Sequence, residues 1–151
     1  MIQAILKDGK LSVIEFGARI GGGESFRIIK SSTGFDYVEA SICSFLGEKY
    51  DLTYTAPSEY YADNFIYASP CIFDSLECRL DLLENGTIEY KNNLKVPGVE
   101  IDAPISSNNR VGVVVVKASN SEELYKKIDK AIQGTEVYDV NRRPVMRKDI
   151  Y

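Results

Sequence analysis

The sequence predicts an α+β fold, in which helices pack against a mainly antiparallel sheet, and three observations predict it. Asp8-Gly9 separates two apolar runs of strand character, which is a strong signal for a β-hairpin. Four consecutive valines, Val113 to Val116, indicate a strand that is buried on both faces. Segments with helical periodicity lie between the strand-like runs. Because 151 residues suffice for one ordinary domain, we predict a single domain over residues 1–151.

The composition narrows the classes of function. With 44% hydrophobic and 26% charged residues, the chain is typical of a globular protein. Its net charge of -4 argues against nucleic acid or an anionic membrane as the main partner. The sequence contains no histidine, so the Ser/His and Cys/His nucleophile pairs are excluded. Chemistry in this chain therefore depends on carboxylates, Arg, Lys, backbone amides and a metal.

The cysteines and the apolar runs predict where the protein resides. The chain has an odd number of cysteines, namely Cys43, Cys71 and Cys78, and their spacing matches no zinc motif. No apolar run approaches the length of a membrane span, and the N-terminus lacks a secretory pattern. We therefore expect a reduced, cytoplasmic setting.

The N-terminal hairpin leaves one question of register open. Its strands are predicted at Ile2–Lys7 and Lys10–Phe16. A two-residue turn pairs Ile2 with Glu15, whereas one extra residue in the loop pairs Gln3 with Glu15. A domain seldom begins inside a strand, so we expect that an upstream segment has been removed or is encoded separately.

Two helices are predicted after the hairpin, at Glu24–Ser32 and Phe35–Leu46, with Gly47 ending the second. Their apolar side chains are expected in the core. The polar segment Lys49–Glu59 is predicted to be a connection.

The following elements are predicted from periodicity and from turn residues. They are a strand at Tyr60–Tyr67, a helix at Phe73–Glu84 stopped by Asn85-Gly86, a short strand at Thr87–Lys91, and a loop over Asn92–Ser107 with a short strand at most.

The C-terminal part predicts a strand, a helix and a small hairpin. The strand covers Arg110–Ala118, and the polar residues 119–121 then provide an N-cap for a helix that runs to Gln133. The hairpin is expected from Val137–Val140 and Pro144–Met146.

Candidate site residues lie together in residues 11–25. By strand alternation, Glu15 shares a face with Leu11 and Val13, and Arg19 shares it too if the strand continues. The glycines Gly21–Gly23 leave backbone N–H groups accessible to a ligand where the next helix begins. A carboxylate for a divalent cation, an arginine for phosphate and a glycine turn together indicate a phosphate-handling site. A surface ion pair beside a flexible turn is the competing interpretation.

The residues Val13-Ile-Glu-Phe-Gly-Ala-Arg-Ile-Gly-Gly-Gly, followed by Thr33-Gly-Phe-Asp-Tyr, resemble the ATP-grasp ligases, in particular their carbamoyl-phosphate-synthase-like and amino-acid-ligase-like branches. The strand at Arg110–Ala118 and the helix after it are similar to the C-terminal strand and helix of that superfamily. The resemblance covers most of the chain but only the last part of an ATP-grasp enzyme, so it implies the C-terminal half of that fold without the N-terminal nucleotide-binding subdomain.

The resemblance implies ATP and Mg²⁺ as cofactors and an acyl-phosphate that an amine attacks. It assigns Glu15 as the second acidic magnesium ligand, Arg19 as the catalytic arginine that steadies the transferring phosphoryl group, and Gly21, Gly22 and Gly23 as the substrate-facing turn. Positioned cations and N–H groups stabilise the charge that spreads over phosphoryl oxygens during transfer.

Two positions depart from the family pattern. Gly17 stands where an asparagine ligand is usual, and Gln3 stands where the first acidic ligand is usual. A neutral amide is a poorer magnesium ligand than a carboxylate, and glycine offers no side-chain oxygen. The site would then bind one metal weakly, borrow ligands from another segment, or be degenerate.

Two hypotheses follow for the function. In the first, the chain is a C-terminal fragment or split subunit of an ATP-dependent carboxylate–amine ligase, completed by an N-terminal ATP-grasp half in cis or in trans. In the second, it is a non-catalytic binding or interaction module with a degenerate site. Under either hypothesis the surface that faces the missing half should be partly apolar, so the sequence allows a homo-oligomer.

Overall fold

A computed structural model describes residues 2–103 and 105–151. The chain divides into two compact units, Met1–Ser58 (unit 1) and Glu59–Tyr151 (unit 2). A single domain over residues 1–151 remains a prediction. The strands are β1 (Ile2–Lys7), β2 (Lys10–Phe16), β3 (Tyr60–Tyr67), β4 (Cys71–Cys78), β5 (Tyr90–Asn93), β6 (Glu100–Ile101), β7 (Arg110–Ala118) and β8 (Thr135–Asp139). The helices are α1 (Ser25–Thr33), α2 (Tyr37–Leu46), α3 (Leu80–Glu84) and α4 (Ser121–Gln133).

The predicted fold class is confirmed. Every strand pair within residues 2–103 and 105–151 is antiparallel, and α4 packs against β7 and β3. The predicted boundaries of β1, β2, β3 and β7 agree with the structure. These strands are the ones whose limits are marked by turn residues or by an uninterrupted apolar run.

Unit 1 consists of the β1–β2 hairpin and the α1–α2 helical hairpin. The turn of the β-hairpin has two residues, Asp8 and Gly9, which have φ values of 50° and 73° and follow the closing position Lys7 opposite Lys10. This left-handed pair is the type I′ turn that the Asp-Gly sequence favours. Gly47 ends α2 in the left-handed region, as predicted.

The prediction that the apolar side chains of α1 and α2 lie in a core is wrong. Neither helix has a buried residue, and Phe45 is 88% exposed. Of the unit 1 residues that the structure describes, Glu24 alone is buried. The periodicity of an amphipathic helix indicates which of its faces is apolar, but it does not determine what covers that face.

Unit 2 contains the hydrophobic core, which is built around β7. This strand lies between β3 and β5 and is hydrogen-bonded on both edges. Its four consecutive valines have no exposed surface. The run predicted to be buried on both faces is therefore confirmed.

The predicted helix at Phe73–Glu84 is wrong, because residues 71–78 form β4, the central strand of the sheet β6-β4-β8. Only the last turn of the predicted helix is helical in the structure, where it forms α3. A β-bulge at Asp74 explains the error. Phe73 pairs with Asp139 and Leu76 with Val137, so the extra residue places Phe73 and Leu76 on one face although they are three positions apart. Apolar residues three positions apart are also typical of an amphipathic helix.

The predicted C-terminal helix is confirmed as α4. The Asn120 side chain caps it by accepting from the N–H of Glu123 at 2.9 Å. Hydrogen bonds from the hydroxyl and the backbone N–H of Ser119 lower the pKa of Glu123 to about 2. Leu124, Ile128 and Ile132 face the core, as the periodicity indicated.

Two smaller elements differ in part from the prediction, and the loop over Asn92–Ser107 agrees with it. The short strand expected at Thr87–Lys91 lies at Tyr90–Asn93, and the expected loop contains the two-residue strand β6. The chain turns back after β8, as predicted, and the N–H of Val145 donates to the Val137 carbonyl. The returning segment forms isolated bridges instead of a continuous strand. In the described parts of the chain, none of the helices is both long and apolar enough to span a membrane.

Candidate functional site

The candidate site residues all lie in unit 1, and the register of the β-hairpin positions two of them. The pairs are regular from Lys7–Lys10 up to Ala4–Val13, and an irregularity follows between Gln3 and Ala4. Ile14 is the extra residue, so Gln3 lies opposite Glu15. Of the two registers that the sequence left open, the structure has the Gln3–Glu15 pair. The additional residue is in the strand, however, and the loop has only two residues.

The bulge also changes the face on which Glu15 lies. Cross-strand partners share a face, so Glu15 lies with Gln3, whereas Val13 lies with Ala4 on the opposite face. The prediction that Glu15 shares a face with Leu11 and Val13 is therefore wrong. Without the bulge, regular alternation along β2 would have placed Glu15 on the face of Leu11 and Val13.

Arg19 is not part of the strand, because β2 ends at Phe16. It lies in the loop before α1, is exposed, and its Nη1 donates to the Ile20 carbonyl at 3.2 Å. Gly17 lies between Glu15 and Arg19, and a Cβ atom at Gly17 would be in ordinary contact with Arg19 Cγ at 3.8 Å. The loop therefore has room for a side chain at Gly17.

The glycine turn leads directly into α1. Gly23 has φ 71°, in the left-handed region that glycine adopts without strain. A Cβ atom at Gly22 would meet no atom within 4 Å among the described residues, so the turn is open on that side. An accessible turn of this kind allows a ligand to approach the backbone closely.

Two residues that sequence reasoning did not assign to the site, Ser25 and Tyr37, contact this turn, and a third, Glu24, directly follows it. The Ser25 hydroxyl donates to the Gly22 carbonyl at 3.0 Å and lies 2.9 Å from the Tyr37 hydroxyl. Tyr37 in turn reaches the Gly21 carbonyl at 3.4 Å. Glu24, which precedes α1, is buried, and its Oε2 lies 3.1 Å from Arg27 Nε. Tyr37 belongs to the Thr-Gly-Phe-Asp-Tyr motif, but no sequence signal indicates its contact with the turn.

The junction of α1 and α2 is held by a second set of polar contacts. Asp36 caps α2, because its Oδ1 accepts from the N–H groups of Val38 and Glu39, and its Oδ2 accepts from Lys30 at 2.5 Å. The hydrogen bond from Lys30 lowers the pKa of Asp36. Tyr37 directly follows this cap and is the first residue of α2. The junction therefore fixes the position of Tyr37 relative to α1.

The oxygen donors of the hairpin determine whether a magnesium ion fits there. Glu15 and Gln3 offer one carboxylate and one amide oxygen on the same face of the hairpin. Within residues 2–103 and 105–151, no group of three or more Asp, Glu, Cys or His side chains could hold a metal ion. Mg²⁺ usually keeps several waters and binds one or two carboxylates together with substrate phosphates. The residues therefore fit a magnesium ion held largely by water and nucleotide.

The fold confirms the likeness to ATP-grasp ligases that the sequence resemblance indicated. It matches part of an ATP-grasp fold, with 91% of this chain covered in each of two solved structures. One is phosphoribosylglycinamide synthetase from Anaerococcus prevotii, with a TM-score of 0.71 and 18% sequence identity. The other is an L-amino acid ligase from Bacillus licheniformis, with a TM-score of 0.73 and 21% identity.

The likeness concerns the fold, and it covers only 36% and 35% of the two longer proteins. The chain thus spans about a third of each. No protein-family model matches the sequence, and no curated protein matches it either.

Proposed function

We propose that this chain contributes the metal-facing and phosphate-facing part of the active site of an ATP-dependent carboxylate–amine ligase that acts through an acyl-phosphate. The observation that carries this proposal is the bulge at Ile14. It brings Gln3 and Glu15 opposite each other, and these are the two positions that the family resemblance assigns to acidic magnesium ligands. A regular hairpin of the same sequence would have paired Glu15 with Ile2.

The roles of the residues follow from their chemistry. Glu15 would hold a magnesium ion, which supplies charge neutralisation at the nucleotide phosphates. Arg19 carries a fixed positive charge and a planar set of donors that matches the oxygens of a transferring phosphoryl group. The N–H groups of Gly21–Gly23 can donate hydrogen bonds to a substrate oxyanion at a fixed position.

The rest of such a site has to come from an N-terminal ATP-grasp half, in cis or in trans. The two structurally similar proteins are about two and a half times as long as this chain, which supports this part of the proposal. So does the β-hairpin, where large apolar side chains such as Ile2, Leu6 and Phe16 are 70% exposed or more. A carboxylate and an amine would be the substrates of the completed ligase.

A titration tests the proposal on the chain alone. We expect that magnesium with a non-hydrolysable ATP analogue shifts the ¹⁵N–¹H resonances of Gly21, Gly22 and Gly23, together with those of Glu15 and Arg19. The glycine amides of the α1 C-cap and the α2 C-cap, Gly34 and Gly47, are the internal controls. If the site resonances stay unchanged here and also after addition of a separately produced N-terminal ATP-grasp half, the proposal is contradicted.

The alternative function, a non-catalytic interaction module, is favoured by the neutral donor set. Gln3 presents an amide where a carboxylate is expected, and Gly17 has no side-chain oxygen. In this case the hairpin would keep the geometry of the ligase while metal binding is lost.

Restoring the missing carboxylate distinguishes the two functions. We expect Gln3→Glu to tighten magnesium binding about tenfold, because it places a second carboxylate opposite Glu15. Without metal, the same change should destabilise the hairpin by about 0.2–1 kcal/mol, since like charges lie directly opposite each other. Isothermal titration with Mg²⁺ and thermal unfolding with and without Mg²⁺ measure both effects.

Gln133→Glu is the matched control, because it makes the same change of charge at an exposed position at the end of α4. If Gln3→Glu and Gln133→Glu bind magnesium equally, the hairpin does not hold a metal ion, and the non-catalytic module becomes the better assignment.

A further inference from the structure

We infer that Tyr37 and Ser25 are positioning residues, which orient the peptide planes of the glycine turn so that the N–H groups of Gly22 and Gly23 face an oxyanion. This inference rests on the proposed function, since it concerns how the proposed substrate-facing turn is held. Neither residue is needed to explain why α1 and α2 form.

The first step is the direction of the two carbonyl groups. The Gly22 carbonyl accepts from the Ser25 hydroxyl at 3.0 Å, and the Gly21 carbonyl accepts from the Tyr37 hydroxyl at 3.4 Å. The two hydroxyls lie 2.9 Å apart. Both carbonyls therefore point toward the same small polar cluster beside α2.

The second step follows from the geometry of the peptide bond. In a planar trans peptide, the carbonyl of one residue and the N–H of the next point in opposite directions, and the described peptide bonds are trans. The Gly21 carbonyl fixes the Gly22 N–H, and the Gly22 carbonyl fixes the Gly23 N–H. Because both carbonyls point toward Tyr37 and Ser25, both N–H groups point away from them.

The third step concerns the surroundings of these donors. The space beside Gly22 is open, and in the described part of the chain neither of the two N–H groups donates to a protein acceptor. Two adjacent N–H groups that point the same way form an anion-binding concavity. The ligand chemistry is an oxyanion, either a phosphate oxygen of a nucleotide or the carboxylate of a substrate.

The hydroxyl protons allow two consistent arrangements. A hydroxyl has a single proton, so when Ser25 donates to the Gly22 carbonyl, the Tyr37 proton goes to Ser25 Oγ or to the Gly21 carbonyl. In both cases Tyr37 keeps Ser25 in place, directly or through the backbone. Removal of the Tyr37 hydroxyl therefore loosens both peptide planes together.

The experiment uses the full chain and compares Tyr37→Phe with Tyr50→Phe. Tyr50 is a matched control, since its hydroxyl lies 3.5 Å from Glu39 in the same unit and does not contact the turn. In the ligand-free protein, we expect Tyr37→Phe to shift the ¹³C carbonyl resonances of Gly21 and Gly22, and Tyr50→Phe to leave them unchanged. Ser25→Ala should shift the Gly22 carbonyl, while Ser25→Thr, which keeps the hydroxyl, should restore it.

The second measurement is the affinity for three probes, namely inorganic phosphate, acetate, and magnesium with a non-hydrolysable ATP analogue, followed at the Gly22 and Gly23 amides. We expect Tyr37→Phe to weaken binding about three- to tenfold, which corresponds to the loss of one hydrogen bond. A preference for acetate would identify the carboxylate as the source of the oxyanion, and a preference for phosphate or the analogue would identify the nucleotide.

Two outcomes would overturn the inference: carbonyl resonances that do not respond to Tyr37→Phe, or a response without any change of affinity. If the wild-type chain binds none of the probes, either alone or after addition of a separately produced N-terminal ATP-grasp half, the proposed function is contradicted, and the carbonyl resonances alone decide whether Tyr37 and Ser25 orient the turn. The failure of the inference and the failure of the proposed function are thus distinguishable.

Discussion

Arg19→Ala should reduce ADP formation roughly 10³-fold in the completed ligase that we propose, since arginines that stabilise a transferring phosphoryl group contribute on that scale. The assay combines this chain with a separately produced N-terminal ATP-grasp half, magnesium, ATP and a carboxylate substrate. Arg19 is exposed in a loop, where its Nη1 donates to the carbonyl of the neighbouring Ile20, so the fold should remain intact. Arg19→Lys should recover only part of the activity, because it keeps the charge but loses the planar donor geometry.

Arg79→Ala is the matched control for this experiment. Arg79 is also exposed, and it forms a surface ion pair with Asp81 at 2.6 Å in unit 2. It should leave turnover unchanged, and circular dichroism should show the same helix content in both variants. Undiminished turnover in Arg19→Ala would remove Arg19 from the proposed active site.

Phe73→Ala should lower the free energy of unfolding of unit 2 by about 3–5 kcal/mol, the range for removal of a fully buried aromatic side chain. Phe73 has no exposed surface and packs in the cluster that contains Leu76 and Val137. Alanine would leave a cavity that rigid β-strand neighbours cannot close. Urea unfolding followed by circular dichroism measures the change.

Ile72→Ala is the control in the same strand. Ile72 is 48% exposed and lies on the opposite face of β4, so the loss should stay below about 1 kcal/mol. Equal losses for Phe73→Ala and Ile72→Ala would contradict the alternation of faces along β4, and with it the strand that replaces the predicted helix.

Two of the three wrong sequence-based predictions result from β-bulges. The bulge at Asp74 gave β4 a helix-like spacing, and the bulge at Ile14 moved Glu15 to the other face of the hairpin. A bulge depends on which strands pair and in which register, and neither is encoded in the local pattern of a single strand. The elements that were predicted well, such as β7 and α4, are those whose own residues mark their limits.

The candidate site, too, could be predicted from the sequence only in part. Glu15, Arg19 and Gly21–Gly23 could be named as candidates, because a family resemblance attaches to them directly in the sequence, and their roles stay a prediction. The contacts of Tyr37 with the glycine turn bridge 16 positions of the chain and depend on how α2 folds back beside α1. No periodicity or spacing rule contains that information.

The distribution of buried apolar side chains has a consequence for cooperativity. Among the residues that the structure describes, all buried hydrophobic side chains lie between Ile66 and Val137, in unit 2. Local opening costs little free energy where few apolar contacts are lost, so backbone amides in β1 and β2 should exchange with deuterium long before those in β7. A single free energy of unfolding therefore does not describe the whole chain. The segment that carries Glu15 belongs to the part of the molecule that opens first, and ligand binding there would be measurable as slower amide exchange.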